Sequence, residues 1–423
     1  MSKKNATKNK RSEALQLQLV RSTKELVRPH LLQTVIALGL EEILKIVEED
    51  RTRLCGAARY NRDDMRRAYR AGTAPSELVL GGRRVSVPRP RVRNDDGEVE
   101  LPMWKQFAAE DPLEERAMEQ MLVGVATRKY KRSLEDVGDA VKTRGTSRSA
   151  VSRRFVVGTE KRVKNLLGRD LSELDIVTLM LDGMECGEHV VLVALGIDAK
   201  GEKHVLGLQE GATENSTACK RLLNNLRERG FRTDRSLLVV IDGSKALRKA
   251  VSDVFGKRAV VQRCQEHKIR NVTELLPQDM KVMVRRSMQD AYRSNDRNRA
   301  KKLLENLART LEAAHPGSAA SLREGLDETL TVVAMNLSST LTRTLATTNP
   351  IENLNGRVRQ ISRNVKRWHN GNMVLRWAAA GLLEAEKTFR RIRGHRDMPR
   401  LVAALRHCDA ALDDTLVPAD DVA

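Results

Sequence analysis

Two aspartates follow buried apolar runs in the same way. TLMLDG ends on Asp182-Gly183 and LVVIDG ends on Asp242-Gly243, and each run has the length and composition of a strand at the centre of a sheet. Open α/β sheets carry their working groups at the carboxyl ends of strands, so we predict that the two carboxylates lie close together. Paired carboxylates repel one another unless a cation lies between them. Mg²⁺ is the natural choice, because it prefers a few carboxylate oxygens and shares the rest of its shell with water and phosphate.

A turn is the alternative explanation for each aspartate taken alone. Asp-Gly is one of the commonest dipeptides at the start of a turn, and either one by itself indicates only that a strand has ended. The occurrence of both at the ends of neighbouring strands, in a strongly basic chain, is what favours a metal site.

A third acid, Glu352, stands near the start of TTNPIENLNGRVRQISRNVKRWHNG, residues 347–371, which we predict to be one helix. Asn349 suits the N-cap, Pro350 the first helical position and Glu352 the third, so a capping box is one interpretation of this acid. An apolar stripe on the helix should pack onto the sheet, and it consists of Leu354, Val358, Ile361, Val365 and Trp368.

Basic residues follow Glu352 along the same side of this helix. At about 100° per residue, Arg359 and Arg363 return to within about 20° of Glu352, and Lys366 lies close by. A glutamate that only caps a helix does not require such a ridge. A metal carboxylate flanked by cations that bind phosphates does require it.

The net charge of the chain indicates a polyanionic partner. Lysine and arginine number 76 against 56 aspartates and glutamates, which gives a net charge of +20 and a pI near 10.0. Such an excess is typical of proteins that neutralise phosphates, although ribosomal and membrane-surface proteins share it. Aromatic residues make up only 3% of the chain, so the stacking platforms of single-strand binders are scarce and duplex binding is favoured.

Cysteine usage and apolar content indicate the compartment. The five cysteines are odd in number and widely scattered, which indicates reduced thiols rather than a disulfide framework. The basic N-terminus has no apolar region after it, and the longest apolar stretches are too short for a bilayer. We therefore expect no membrane partner and a cytoplasmic location.

A hairpin is predicted in the arginine-rich part of the N-terminal half. SELVLGGRRVSVPRPRVRN alternates apolar and polar residues on each side of Gly81-Gly82, and Pro88 and Pro90 should end its second strand. Arg83 and Arg84 would stand close together there, either on a solvated basic hairpin or as phosphate contacts.

A helix-turn-helix layout is predicted further along the chain. It has a first helix, a turn at Gly145 and a second helix capped by Thr146 and Ser147. Short polar residues at the start of such a second helix can reach base edges while its arginines hold phosphates. The residues in question are Ser149, Ser152, Arg153 and Arg154. The layout is also common in all-α proteins, and the charge of the chain is what favours DNA reading.

The periodicity changes to an α/β pattern after residue 170. Three strands, an amphipathic helix and another buried strand follow one another, as at the opening of an α/β sheet. We predict six segments in chain order: 1–50, a basic tail and helices; 51–110, the basic hairpin region; 111–170, the helix-turn-helix-like region; 171–265, the first part of the sheet domain; 266–345, a helical block; and 346–423, the second part with C-terminal helices.

The ordered blocks resemble the IS256 family of DDE transposases, which is related to Mutator-type transposases. The stretches that look like family blocks are LDGMECGEHVVLVALGIDAKGEKHVLGL, VVIDGSKAL, QRCQEHKIRNV and TTNPIENLNGRVRQISRNVKRW. The resemblance covers at least residues 170–385, and the N-terminal hairpin and TSRSAVSRRF also look like that family.

The resemblance implies an α/β fold in which an RNase H-like mixed-sheet catalytic domain is interrupted by an all-α insertion. A mainly helical DNA-binding region with a β-hairpin would precede it. Asp182, Asp242 and Glu352 map onto the family's catalytic, metal-binding acids, which would hold two Mg²⁺ ions for which Mn²⁺ can substitute. Arg359 maps onto its basic residue seven positions after the glutamate.

The same resemblance maps Cys264 and His267 onto the family's C-x₂-H element. Two side chains supply only two of the four ligands of a structural zinc, so we favour a hydrogen-bonding or packing role. Related transposases often carry a tryptophan in the insertion. The tryptophans here are Trp104, Trp368 and Trp377, all outside residues 266–345.

These features together predict a prokaryotic, nucleoid-associated DNA transposase. It would bind the terminal inverted repeats of an insertion sequence and catalyse metal-dependent strand cleavage and strand transfer. Its partners would be double-stranded terminal and target DNA, and holding two ends implies a homodimer or larger assembly. Two alternatives stay open: an RNase H-like structure-specific nuclease with the same acids, and a non-catalytic DNA-binding regulator.

Overall fold

The computed structural model of the protein describes residues 34–56, 66–109, 114–125, 129–134, 143–145, 147–213, 215–294 and 296–414. The chain forms two compact units, Met1–Val157 and Gly158–Ala423. The predicted basic tail, the first N-terminal helix and the first helix of the helix-turn-helix lie outside the described residues. Among those described, no helix combines the length and the apolar character needed to cross a bilayer.

The first unit is built around an antiparallel sheet. Its order is β1-β2-β3, with β4 paired to the other end of β2. Helix α1 and the sheet share an apolar core that includes Val47, Leu78 and Trp104. The elements are α1 (34–55), β1 (Tyr69–Leu80), β2 (Arg83–Asn94), β3 (Gly97–Val99), α2 (Pro102–Ala109), α3 (Glu114–Leu122), α4 (Tyr130–Ser133), β4 (Thr143–Gly145) and the start of α5 (Arg148–Gly168).

The predicted hairpin is confirmed, with its turn at Gly81-Gly82. Both glycines have positive φ, +59° and +77°, as a two-residue turn between twisted strands requires. The prediction that Pro88 and Pro90 end the second strand is wrong, because β2 continues to Asn94. At Pro88 and Pro90, β2 pairs with β1 but with neither β3 nor β4, so among the described strands one edge of β2 is unpaired there, which is where a sheet tolerates proline.

The predicted glycine turn of the helix-turn-helix is also wrong. Gly145 lies in strand β4, where it pairs with Arg83 of β2. The residues that the local sequence assigned to a turn therefore form a strand, Thr143–Gly145, paired with β2. The second helix is confirmed as α5, and Ser147 caps it because its Oγ accepts the backbone N–H of Ala150 at 3.2 Å.

The second unit contains a five-stranded mixed sheet, which confirms the α/β prediction. Its order is β7-β6-β5-β8-β9; β5, β6 and β7 are antiparallel neighbours, and β8 and β9 run parallel to β5. The elements are β5 (Ile176–Cys186), β6 (His189–Asp198), β7 (Lys203–Glu210), α6 (Ser216–Glu228), β8 (Leu237–Ile241), α7 (Lys245–Phe255), a 3₁₀ turn (Gly256–Arg258) and β9 (Ala259–Arg263).

Alternation along the strands separates the two faces of this sheet. Leu179 and Val239 face one core, which α6 and α7 cover. Met180 and Val240 face the other core, which is covered by the C-terminal helices. The sheet is thus buried on both faces, as its nearly continuous apolar runs indicate.

Helices follow β9 up to residue 345, as predicted for residues 266–345. Part of this block has its own core, which includes Val284, Leu304 and Leu322. The helices are α8 (Gln265–Glu274), α9 (Gln278–Tyr292), α10 (Arg297–Glu312), α11 (Pro316–Arg323), α12 (Leu326–Thr329), α13 (Thr331–Ala334) and α14 (Ser339–Leu345). The C-terminal elements are α15 (Asn349–Ser362), α16 (Gly371–Glu386), a 3₁₀ turn (His395–Asp397) and α17 (Met398–Asp414).

Helix α15 is shorter than the helix predicted over residues 347–371. It ends at Ser362, and the following segment runs in a non-helical conformation. Trp368 in that segment packs against the turn between β5 and β6, where a Cβ on Gly187 would lie 2.7 Å from its Cδ1. Trp368, which the helical stripe had assigned to the helix, therefore packs against this turn from a non-helical segment.

Candidate functional site

Asp182 and Asp242 stand on neighbouring parallel strands. β5 and β8 pair in register from Thr178 with Leu238 to Met180 with Val240. Asp182 and Asp242 each lie two residues beyond the Met180–Val240 pair, so they are level with one another on the two strands. Both aspartates share the parity of Met180 and Val240, so both belong to the sheet face that the C-terminal helices cover.

One detail of the aspartate prediction is wrong. Asp242 directly follows the last residue of β8, but Asp182 lies inside β5, which continues to Cys186. β6 pairs with β5 along this whole stretch, and Gly183 is paired with Leu192. Asp182-Gly183 is therefore not a turn, because the antiparallel neighbour extends the strand beyond the point where its parallel partner stops.

Helix α15 brings Glu352 to the same face. Ile351, Leu354 and Val358 of this helix are buried in the core that contains Met180. The Nδ2 atom of Asn355, one turn after Glu352, donates a hydrogen bond to Oδ2 of Asp182 at 3.0 Å. Glu352 itself keeps 35% of its side chain exposed.

The capping-box interpretation of Glu352 is wrong in two respects: the position of the N-cap and the hydrogen bond that Glu352 makes. The N-cap of α15 is Thr348, not Asn349, and its side chain makes no capping hydrogen bond. Its hydroxyl instead donates to Oε1 of Glu352 at 2.7 Å. The carboxylate of Glu352 is thus oriented by Thr348 and does not reach back to a backbone N–H.

The three acids act on one another electrostatically. Burial, opposed by the charge of His267 and assisted by the charges of Glu352 and Asp242, raises the pKa of Asp182 from 3.8 to about 6. Among the described residues, Asp182 and Asp242 belong to no group of three ligand side chains whose atoms all lie within 4.8 Å. The charges of Asp242 and Glu352 nevertheless act on Asp182, so the three acids are neighbours without forming such a group.

Asn355 is a site residue that sequence reasoning missed. Only 2% of it is exposed, and its Oδ1 has no hydrogen-bond partner. Amide oxygens are ligands for hard divalent cations. The signal was available in the sequence, because Asn355 follows Glu352 by three residues and so lies on the same side of a helix.

Cys264 and His267 lie beside Glu352. Cys264 is the N-cap of α8, and its Sγ accepts the backbone N–H of His267 at 3.5 Å and that of Thr348 at 3.4 Å. Nδ1 of His267 lies 3.7 Å from Oε1 of Glu352. These three side chains form a group whose ligand atoms lie within 4.8 Å of one another, and the sequence did not place Glu352 with Cys264 and His267.

The ionisation of this pair differs from that of isolated side chains. Burial opposes the thiolate of Cys264, but hydrogen bonds from His267 and Thr348 outweigh it and hold the pKa of the thiol below its ordinary value. The hydrogen bond with Cys264 raises the pKa of His267 to about 9, against burial and with help from the charges of Cys264, Glu352 and Asp182. Each member of the pair therefore favours the charged form of the other.

The predicted phosphate-binding residues near α15 are only partly on one helix. Arg359 is exposed on α15, and Arg363 is the exposed C-cap residue of that helix. Lys366 is exposed on the non-helical segment that follows, so the predicted helical ridge stops at Arg363.

The predicted base-reading residues of the first unit lie on the surface of α5. Ser149, Ser152 and Arg153 are exposed and Arg154 is half-buried, while Ala150, Val151 and Phe155 are buried on the other side of the helix. In the hairpin, Arg83 is half-buried and Arg84 forms an ion pair with Glu77 at 3.2 Å.

Comparison with known proteins gives a consistent result. A family model described as "Transposase, Mutator family" matches residues 6–391. The chain is 27% identical over 376 residues to the transposase for insertion sequence element ISRM5 of Rhizobium meliloti, covering 86% of this chain and 90% of that protein. It is 26% identical over 388 residues to the transposase for IS256 in transposon Tn4001 of Staphylococcus aureus, covering 88% and 94% of the two chains.

Proposed function

We propose a specific reaction and a specific site for this chain, because it belongs to the Mutator family of transposases. Membership of this family implies an enzyme that cuts and transfers DNA. The proposed reaction has two steps. Hydrolysis of a phosphodiester at the end of an insertion sequence leaves a 3′-hydroxyl. That hydroxyl then attacks a phosphodiester of the target DNA, forms a new phosphodiester and displaces the 3′-oxygen of the target strand, which leaves as a hydroxyl.

The observation that carries the site is the position of the two aspartates. Asp182 and Asp242 are level on adjacent parallel strands, and α15 adds Glu352 to the same face. Asp242 and Glu352 raise the cost of ionising Asp182, and divalent cations would stabilise such a set of carboxylates. The buried, unpartnered Oδ1 of Asn355 beside Asp182 fits the same hard-ion chemistry.

The residues present therefore fit a divalent metal site. Asp182, Asp242 and Glu352 would hold two Mg²⁺ ions, for which Mn²⁺ can substitute. When bound, such ions activate water and stabilise the charge that develops on a phosphate in transfer. The chain itself contributes positioning: Asn355 fixes the carboxylate of Asp182, and Thr348 fixes that of Glu352.

Cationic groups near the acids would bind the DNA backbone. Arg359 lies seven residues after Glu352 and is exposed, so it can contact a phosphate close to the reacting bond. Arg363 and Lys366 would extend that contact. Catalysis would need no covalent protein intermediate, since positioned acids and arginines suffice for in-line attack.

The fold that we propose for the second unit is RNase H-like. The support is the sheet order, with three antiparallel strands followed by two parallel ones, and with an acid on the first strand and after the fourth. The helices from α8 to α14 would be the all-α insertion between β9 and α15.

The first unit would recognise the terminal inverted repeats. The exposed polar face of α5 supports this role, and so does the basic hairpin. The residues that would contact DNA are Ser149, Ser152, Arg153, Arg154, Arg83 and Arg84. The protein would work in a prokaryotic cytoplasm at the nucleoid, as a homodimer or larger assembly on two DNA ends.

The test combines labelled element ends, target plasmid, Mg²⁺ and two proteins, the wild type and Asp182→Asn. We expect the wild type to cut and join, and the variant to bind ends without doing either. Cleavage without joining by the wild type would favour the structure-specific nuclease. Binding without any cleavage would favour the regulator, and full activity of Asp182→Asn would overturn the site.

A further inference from the structure

The hydroxyl of Thr348 lies at the centre of a buried network beside Glu352. Thr348 has 0% exposure. Its Oγ1 lies 2.7 Å from Oε1 of Glu352, 3.2 Å from Sγ of Cys264 and 3.3 Å from Nδ1 of His267. A hydroxyl has a single proton to donate. The carboxylate takes it, because that contact is the shortest and hydrogen bonds to charged acceptors are the strongest.

Helix capping does not account for this threonine. A threonine at the N-cap ordinarily accepts a backbone N–H of the first turn, which stabilises the helix. Thr348 occupies the N-cap of α15 and makes no such bond. Its hydroxyl points to Glu352, one turn along, whose own N–H is bonded to the carbonyl of Thr348 at 2.9 Å.

The position of this hydroxyl is fixed from the other side by the start of α8. The backbone N–H of Thr348 donates to Sγ of Cys264 at 3.4 Å. The backbone N–H of Gln265 donates to the carbonyl of Ala346 at 3.0 Å. The segment that leads into α15 is thus clamped to the end of β9, and this clamp sets the direction of the Thr348 hydroxyl.

We infer that Thr348 is a positioning residue, which holds the carboxylate of Glu352 in one orientation while Cys264 holds Thr348. The inference rests on the proposed function, in which Glu352 is a metal ligand. It also gives the Cys264 and His267 pair a role that needs no zinc. The two side chains contact the Thr348 hydroxyl and fix its position.

The test compares Thr348→Val, which keeps the shape and removes the hydroxyl, with Thr348→Ser, which keeps the hydroxyl. The matched control is Thr347→Val, because Thr347 is also buried but its Oγ1 has no hydrogen-bond partner. Mn²⁺ binding is measured by calorimetry and by electron paramagnetic resonance on the full chain without DNA. Strand cleavage is measured as a function of Mn²⁺ concentration. The melting temperature of each variant is measured in chelator to detect a purely structural effect.

Loss of a group that orients a metal ligand typically costs 10–100-fold in metal affinity, so we expect Thr348→Val to weaken Mn²⁺ binding by about 10-fold or more. Thr348→Ser and Thr347→Val should bind Mn²⁺ as the wild type does. In a Glu352→Gln background, Thr348→Val should have no further effect, since its partner is already lost. If Thr348→Val does not fold, Thr348→Ala takes its place.

Unchanged Mn²⁺ affinity in Thr348→Val would overturn the inference, as would a lower melting temperature in chelator with no change in Mn²⁺ binding. Glu352→Gln separates this result from failure of the proposed function. If Glu352→Gln binds Mn²⁺ and cleaves like the wild type, the metal site itself is wrong. If Glu352→Gln is inactive and Thr348→Val behaves as the wild type, only the role of Thr348 is wrong.

Discussion

The side-chain amide of Asn355 donates a hydrogen bond to Oδ2 of Asp182 at 3.0 Å, which links α15 to the central strand β5. The bond joins the helix that carries Glu352 to the strand that carries the first aspartate. The distance between two of the three acids therefore depends on a residue that is itself uncharged.

Asn355→Ala should impair catalysis more than folding. The substitution removes the donor that fixes Asp182, and groups that orient metal ligands typically contribute 10–100-fold, so we expect strand cleavage to fall by about that factor. Binding to element ends should be unaffected. Asn353→Ala is the control, since Asn353 is exposed on the same helix. Wild-type cleavage rates in Asn355→Ala would show that Asp182 is held without it.

Asp182→Asn should stabilise the protein at neutral pH in the absence of metal. The folded state raises the pKa of Asp182 from 3.8 to about 6. A carboxyl with a raised folded pKa binds its proton more tightly when folded, so its contribution to stability is present below pH 4 and is lost as the pH rises through 6. At about 1.4 kcal/mol per pKa unit, the loss is on the order of 3 kcal/mol.

Melting temperatures in chelator from pH 4 to pH 8 measure this effect. The advantage of Asp182→Asn should grow from pH 4 to about pH 7 and then level off. Asp253→Asn is the control, because its ion pair with Lys220 lowers the pKa of Asp253 and the substitution should not raise the melting temperature. A lower melting temperature for Asp182→Asn at pH 7.5 would contradict the prediction.

The elements of the second unit could be predicted from the sequence because their signals are local. The strands before Asp182 and Asp242 are apolar runs of strand length, and the β-hairpin turn at Lys200-Gly201 has the positive φ of +78° that its glycine permits. The carboxylate positions follow from these strands once β5 and β8 are neighbours.

The errors in the prediction have non-local causes. The strand of Asp182 continues because β6 pairs with it. Gly145 lies in a strand because it pairs with the edge of β2. Helix α15 ends early, and Trp368 in the segment after it packs near Gly187. The helical spacing places Asn355 and Thr348 near Glu352, but it does not show their contacts with Asp182 and Cys264, which are distant in the chain. No periodicity within one segment contains such pairs.

Arg359→Ala should weaken DNA binding through the loss of a phosphate contact. Each phosphate contact contributes about 0.9 to the slope of log affinity against log salt, so we expect the slope to fall by about one. Arg357→Ala is the control. Arg357 lies about 140° around the helix from Glu352 and hydrogen-bonds the hydroxyl of Thr388 at 2.6 Å. Titration of labelled element ends at several salt concentrations measures both slopes, and equal slopes for the two variants would refute the phosphate contact.

Gly82→Ala should destabilise the first unit and reduce its binding to element ends. Gly82 has a φ of +77°, and a Cβ there would lie 2.2 Å from the hydroxyl oxygen of Tyr130, which is buried. Gly72→Ala is the control, because Gly72 has a nearly equal φ of +74° but a Cβ there would lie in open space, so it separates backbone strain from the steric conflict. We expect a lower melting temperature for Gly82→Ala than for Gly72→Ala, with a matching loss of affinity for the ends. If the two variants melt together, the contact with Tyr130 does not constrain the hairpin. If Gly82→Ala melts early but binds ends normally, the hairpin is a structural element, and recognition depends on α5.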